Sequence, residues 1–374
     1  MAFIPRDDGS IFGRWWWTVD RWSIVALLIL VATGIVMAFA ASPAIANRIG
    51  ADQFYFANRH LIYVGLALTA MFLSSFLTVD AIKRLSVLGM ASVLIVLVVT
   101  LIHGAEYQGG RRWIRFGFIN LQPSEFSKPF FVICSAWLFS LDRATRLRWP
   151  LVVQLALLLC LISLLLAQPD IGQTAVVCAI WGAQFFMAGY NLLWVAGAGL
   201  MVISGLVVTI MLKPHALDRI KRFTGDGDAD TYQVQQSLKA FGEGGWFGKG
   251  PGEGVIKALV PDVHADFVFA AMGEEFGMIA CILVVGFFAI IIIRGLVRLS
   301  SQDNMFLVLA GTGLLTQFGV QAAINMFTAL NLMPTKGMTL PFISYGGSSM
   351  LGMALTMGLL LAISRRRPRR DSLV

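Results

Sequence analysis

Residues 266–293 read DFVFAAMGEEFGMIACILVVGFFAIIII. From Met278 to Ile293 no charge interrupts the run. The whole stretch exceeds the ~20 apolar residues that cross a hydrocarbon core as a helix, and is far longer than a barrel strand of about 9–11. Lipid offers no hydrogen-bond partners, so such a segment satisfies its own backbone as a helix. Apolar runs of spanning length recur near 22–42, 58–78, 86–104, 125–142, 150–168, 172–188, 192–212, 266–293, 304–328 and 344–364. The expected fold class is an all-α integral membrane protein with about ten transmembrane helices. The whole chain, 1–374, reads as a single polytopic domain, with one long loop at 213–265 between the seventh and eighth spans and a basic tail at 365–374.

Composition agrees. Hydrophobic residues make up 57% and charged residues 13% of the 374, with a mean hydropathy of +0.76. A soluble domain carries about 25% charge, so a soluble enzyme and a disordered chain are both excluded. The net charge of +8 raises the question of nucleic acid. Lys and Arg in cytoplasmic loops explain it first, and no nucleic-acid partner is expected. Cys134, Cys160, Cys178 and Cys281 lie in apolar runs without metal-ligand spacing. The first run ends in Phe39-Ala40-Ala41-Ser42-Pro43, which resembles a signal-peptidase site. A signal core is only about 7–15 residues, so the run is read as an anchor.

Orientation follows from Lys and Arg counts. With the N-terminus inside, inner segments hold fifteen and outer segments thirteen, Lys128 lying within a span. The inner segments are about half as long, so their basic density is about twofold higher. N-in and C-in is expected. Seven of the outer thirteen fall in 213–265, and positive charge outside needs a reason.

That loop carries Arg219, Lys221 and Arg222, an acidic turn at 225–228, a short helix-like stretch from Tyr232 to Phe241, and Gly242-Glu243-Gly244-Gly245-Trp246-Phe247-Gly248-Lys249-Gly250-Pro251-Gly252. A phosphate-cradling P-loop needs Ser or Thr after its Lys, and a Gly where Glu243 stands. The segment is either a flexible loop or a backbone-rich loop that approaches a bulky substrate closely.

Ionisable residues at membrane depth mark sites, ion pairs or water-filled cavities. Glu125 and Lys128 lie one helical turn apart on one face, an ion pair or part of a site; Ser124 before them suits a helix cap. Asp170, after Gln168-Pro169, is a site residue or a cap. Asp266, in Pro261-Asp262-Val263-His264-Ala265-Asp266-Phe267, sits where the long loop re-enters the eighth span, with Glu274 and Glu275 two to three turns deeper. It reads as a first-turn carboxylate or as a general base at a cavity mouth. Gly109-Gly110-Arg111-Arg112-Trp113-Ile114-Arg115 offers adjacent guanidinium groups for a lipid-linked phosphate or for anionic headgroups, with Trp113 suited to the interfacial belt. The last outer loop, 332–349, holds Pro334, Pro341, several glycines, Lys336 and Ser344. Broken backbone at this depth lines a cavity or is buried in protein.

At these residues the chain resembles the SEDS family (shape, elongation, division and sporulation) of polytopic glycosyltransferases in bacterial wall synthesis. The matching segments are Gly110-Arg111-Arg112-Trp113-Ile114, Gln122-Pro123-Ser124-Glu125, Gln168-Pro169-Asp170-Ile171-Gly172, Tyr232-Gln233 with Gln236-Ser237, Gly244-Gly245 with Gly248-Lys249-Gly250, His264-Ala265-Asp266-Phe267, Glu274-Glu275-Phe276-Gly277 and the 333–349 loop. They run in the family's order along nearly the whole chain. The last loop is most similar to the division branch, with the elongation branch second.

The resemblance implies polymerisation of lipid II into β-1,4 glycan at the periplasmic face of the bacterial inner membrane, at the division septum, with Asp266 essential. It implies as partners lipid II, undecaprenyl pyrophosphate, a class B penicillin-binding transpeptidase and other divisome membrane proteins. Ala265, Asp262 and Gln173 depart from residues common in the family, and none removes a charge. Joined to the chemistry, Asp266 is the expected catalytic base. Arg111, Arg112, Trp113, Glu125, Lys128, Asp170, Lys249, His264, Glu274, Glu275, Lys336 and Ser344 are the expected substrate-binding set. Arg111, Arg112, Lys128 and Lys336 would face the leaving pyrophosphate. The expected cofactor is at most a divalent cation, magnesium or manganese, its ligands unassigned. A lipid II flippase and a docking scaffold are the rival readings.

Overall fold

The structure is a computed structural model, and describes residues 10–50, 52–107, 110–116, 119–145, 148–191, 193, 197, 228–260, 262–334 and 337–365. Within these, α1 (Ile11–Thr18) and α2 (Arg21–Ile49) are followed by α3 (Tyr55–Ser75) and α4 (Val79–His103). Then come β1 (Ala105–Tyr107), β2 (Gly110–Phe116) and β3 (Ile119–Leu121), and α5 (Pro123–Thr145), α6 (Trp149–Ala167) and α7 (Ile171–Met187). The chain continues with α8 (Asp228–Gly244), a 3₁₀ turn (Ile256–Ala258), α9 (Val268–Leu299), α10 (Met305–Ala329) and α11 (Gly347–Ile363).

Nine of the ten apolar runs coincide with helices. The tenth, 192–212, falls almost wholly outside the described residues, as do 213–227 of the long loop, Lys336 and the tail from 366. Among the described residues six helices are long and apolar enough to cross a membrane: α2, α3, α4, α6, α9 and α10. Both ends of α5 carry charge, and α7 and α11 have 17 residues each. The fold is that of a multi-pass membrane protein. Its outward surface is apolar, as at Ile62, Leu88, Ile95, Val152 and Ile282, the reverse of a water-facing helix. α10 is the central helix: 72% of its apolar window is buried, against 28% for α3, α4, α6 and α9. It packs on α5, α7, α9 and α11.

Local chemistry sets the ends. Thr78 caps α4 by accepting from Ala81 N at 3.3 Å, so this helix starts a turn and more before the expected 86. Gly50, at φ 65°, terminates α2 in the left-handed conformation. Ser124 does not cap α5: the helix starts at Pro123, which suits a first-turn position, and the Ser124 Oγ is buried without a partner. The segment before α5, read as a loop, is an antiparallel sheet in the order β1-β2-β3, with Glu106 opposite Arg111 and Arg115 opposite Asn120.

Alternation of the helices gathers two distinct ends. One holds α1, Asp20, Arg294, Arg298 and Arg365; Arg294 binds Asp20 at 2.8 Å and Arg298 at 3.3 Å. The other holds the sheet, the starts of α5, α7, α9 and α11, and the loop after α10. All of the described site candidates lie at this second end.

Candidate active site

At the start of α5, Glu125 and Lys128 form an ion pair of 2.6 Å, with Lys128 wholly buried. The ammonium also donates to Gln321 Oε1 at 2.8 Å, and Gln173 Nε2 donates to Glu125 Oε1 at 2.5 Å. Gln321 Nε2 donates to Ser349 Oγ at 3.1 Å. The network ties α5, α7, α10 and α11 together, and every charged oxygen and proton in it that can be paired raises its internal strength. Gln173, where the family often has Thr, is therefore a working member of it.

Asp170 caps α7 by accepting from Gln173 N at 3.3 Å, and also accepts from Gln122 Nε2 at 3.2 Å. Beside it, Arg112 of β2 donates to the carbonyls of Gln168 and Pro169 at 2.9 and 2.7 Å. Arg111, on the other face of the strand, is exposed, donates to Ile102 O at 3.1 Å and lies 3.8 Å from Glu106. The two guanidinium groups thus diverge, and only Arg112 reaches the Asp170 turn. Trp113 is half-buried in the same strand.

The Gly-rich stretch has a different use from either expected one. α9 is broken at Gly277, whose φ and ψ are 77° and −179°. The freed carbonyls of Glu274 and Glu275 accept from Lys249 N and Gly250 N, both at 3.0 Å. Beyond the break, Met278 N and Ile279 N donate to the carbonyls of Gly245 and Trp246 at 2.9 and 3.3 Å. The loop is the hydrogen-bonding partner of a broken helix, which is how irregular backbone is tolerated at membrane depth. Its glycines make the approach possible: a Cβ on Gly248 would collide with the Glu275 carbonyl, and one on Gly277 with that of Trp246. Gly248→Ala is expected to lower the thermal midpoint far more than Gly252→Ala. Both sit at positive φ, 78° and 87°, where an L-residue costs about 1–2 kcal/mol. Only Gly248 adds a collision, because nothing lies within 4 Å of a Cβ on Gly252. Equal midpoints for the two variants would show that the close packing is not needed.

Glu274 and Glu275 serve the same junction. The Glu274 carboxylate accepts from Ile256 N and Lys257 N, both at 2.7 Å, fixing the 3₁₀ turn. Glu275 forms a buried ion pair with Lys257, whose ammonium also reaches Ala40 O of α2 at 3.0 Å. Lys257 is a residue that sequence reasoning missed. Its signal was a single charge in the otherwise apolar Val255-Ile256-Lys257-Ala258-Leu259. Lys249 lies on the surface, paired with Glu243 at 2.6 Å.

Asp266 is positioned from two sides. Its backbone N donates to Asp262 O at 3.0 Å, and its carbonyl accepts from Asn325 Nδ2 of α10 at 3.0 Å. The same Nδ2 donates to Met338 O at 2.6 Å, so one side chain joins the Asp266 turn to the last loop. The Asp266 Oδ2 approaches Gly337, 3.7 Å from where a Cβ would stand. Ser344, buried, closes that loop by accepting from Leu340 N at 2.8 Å. Of the five acidic candidates, Glu125, Asp170, Glu274 and Glu275 are buried, at 5% exposure or less; Asp266 alone is only partly buried.

His264 stands two residues away, its ring 4.7 Å from Phe56 and 5.3 Å from Tyr345. Burial lowers its pKa from 6.5 to about 4, with Asp262 opposing in part, and its Nδ1 has no hydrogen-bond partner. The folded state therefore binds this proton less readily than the unfolded chain. Its contribution to stability is complete above about pH 6.5 and is lost as the pH falls toward 4. The thermal midpoint of the wild type is expected to drop more between pH 7 and pH 4.5 than that of His264→Gln. Parallel curves would place the ring in a polar setting.

Among the described residues no three His, Cys, Asp or Glu side chains converge as a metal site.

The family of cell cycle proteins that includes FtsW, RodA and SpoVE has a model that matches residues 21–369. The chain belongs to this family. A relative from Caulobacter vibrioides, a probable peptidoglycan glycosyltransferase FtsW, is 40% identical over 98% of this chain and 94% of its own length. One of the same description from Coxiella burnetii is 35% identical over 93% and 96%. A chain from a solved peptidoglycan synthase complex superposes with a TM-score of 0.77 at 25% identity, covering 92% of this chain and 97% of that one. The rod shape determining protein RodA of Thermus thermophilus shares the fold, with a TM-score of 0.69 at 24% identity over 93% and 97%. The span matched by the family model, 21–369, includes the broken helix, the sheet and the Asp266 turn of this chain.

Proposed function

We infer that the chain is a peptidoglycan glycosyltransferase of the FtsW kind, which polymerises lipid II into β-1,4 glycan. The relatives' descriptions support the activity. The mechanism rests on one observation: of the five carboxylates singled out from the sequence at this end of the bundle, Asp266 is partly exposed and the other four are buried. A base must reach the substrate, and a carboxylate buried inside the protein does not.

Asp266 takes the proton from the 4-hydroxyl of the acceptor sugar. That oxygen attacks the anomeric carbon of the donor from the face opposite its α-linked diphosphate. The new bond is β, and undecaprenyl pyrophosphate leaves. Of the two arginines, exposed Arg111 suits a departing diphosphate, while Arg112 is held on the carbonyls of Gln168 and Pro169; Lys336, outside the described residues, is assigned to the diphosphate as well. Lys128 is not, because its ammonium is buried between Glu125 and Gln321. A divalent cation, where used, supplies further neutralisation of the diphosphate.

The end that carries Asp266 faces the periplasm, with both termini in the cytoplasm of a bacterium and the protein in its inner membrane at the septum. Clustering of the charged candidates at one end, rather than at the midplane, favours this over an alternating-access transporter. A class B penicillin-binding transpeptidase is the proposed partner, supported by the likeness to a chain of a synthase complex that couples polymerisation and crosslinking. Purified protein, free of other polymerases, tests the reading: a polymerase lengthens lipid II into glycan, a flippase moves it without lengthening it, and a scaffold does neither.

A further inference from the structure

We propose that Trp246 and Phe247 form a foot inserted into the lipid bilayer at the boundary between headgroups and acyl chains, and that this foot fixes the height of the Asp266 end above the membrane. The inference stands apart from the catalytic reading. Both side chains are well exposed, at 65% and 83%, on a loop whose position is otherwise tightly determined. The carbonyls of Gly245 and Trp246 are bonded to Met278 N and Ile279 N, so the tip is held level with the residues just past the α9 break.

That level is the edge of the membrane. From Met278 the helix carries no charge until Arg294, and Arg294 and Arg298 close on Asp20 at the opposite end. From Met278 to the pair Arg294 and Arg298 is roughly 24–30 Å at the rise of an α-helix, and a hydrocarbon core is ~30 Å thick. If the Arg pair marks one surface, Gly277 marks the other. One turn further into the membrane, Ile282 and Leu283 are exposed at 57% and 58%. The apolar tip continues this lipid-facing stripe outward. Trp is the side chain suited to that depth, while the Lys249–Glu243 ion pair beside it remains in the polar layer. An aqueous tip would leave two large apolar side chains in water at the end of an ordered loop.

The test is depth measurement in vesicles of phosphatidylcholine and phosphatidylglycerol. In a Cys160→Ala background, which removes the exposed thiol, Phe247→Cys carries a nitroxide label. Glu253→Cys, exposed farther along the loop, is the aqueous reference. The ratio of oxygen to nickel-chelate collisions is expected to be several-fold higher at 247 than at 253. Equal ratios would put the tip in water, and shielding from both reagents would put it against protein; either result overturns the proposal. Trp246→Cys provides the same reading if the first variant fails to assemble.

Discussion

Replacing Lys128 by Met is expected to destabilise the protein by about 3–5 kcal/mol, the usual result of removing one partner from a buried ion pair. The lysine is wholly buried, and its ammonium satisfies both Glu125 and Gln321. Without it a carboxylate remains inside the bundle with only Gln173 to serve it. The expected readout is a sharp fall in the temperature at which detergent-solubilised protein loses its monodisperse peak. Glu125→Gln together with Lys128→Met should recover most of the loss, because a neutral pair of similar volume carries no uncompensated charge. The double variant should also retain polymerisation if the pair is architectural. A single variant no less stable than the double would contradict this account of the α5 network.

The second large effect concerns chemistry rather than stability. Asp266→Asn keeps the shape of the side chain, and the backbone bond from Asn325 to the carbonyl is available to either residue. The fold is therefore expected to survive, as checked by a monodisperse peak. Turnover of lipid II is expected to fall by about 10²–10⁴-fold, the usual worth of a positioned acid or base. Asp266→Glu keeps the carboxylate but displaces it by one methylene, so intermediate activity is expected. Glycan strands resolved on gels from purified enzyme provide the measurement. An Asn variant with most of the wild-type rate would remove Asp266 from the base role.

How far the sequence could be read depended on how local each signal was. The spanning helices were legible because about 20 apolar residues in lipid admit one structure. The sheet was not: Gly110–Phe116 is a seven-residue strand, and its adjacent arginines suggested a clamp when they in fact point to opposite faces. The break in α9 was hidden in the run that announced the helix, since one glycine within such a run is tolerated. Its partner glycines lie about thirty residues earlier, and only folding brings them together. The same distance concealed the roles of Glu274 and Glu275. A carboxylate lining a cavity and one gripping a 3₁₀ turn look alike until the turn is placed. Lys257 is the converse case, a cation in an apolar setting whose counter-ion lies elsewhere in the chain. Asp266 was legible as a carboxylate at the start of a span because loop and span meet there in the sequence itself.

The central claim is that Asp266 acts in bond formation and not in holding the donor. Purified Asp266→Asn protein and wild type can be given the same lipid II, with bound lipid and released undecaprenyl pyrophosphate followed in one sample. The account predicts binding within a few-fold of wild type and almost no release of the diphosphate. Release at the wild-type rate, or a loss of binding that accounts for the whole defect, would contradict it.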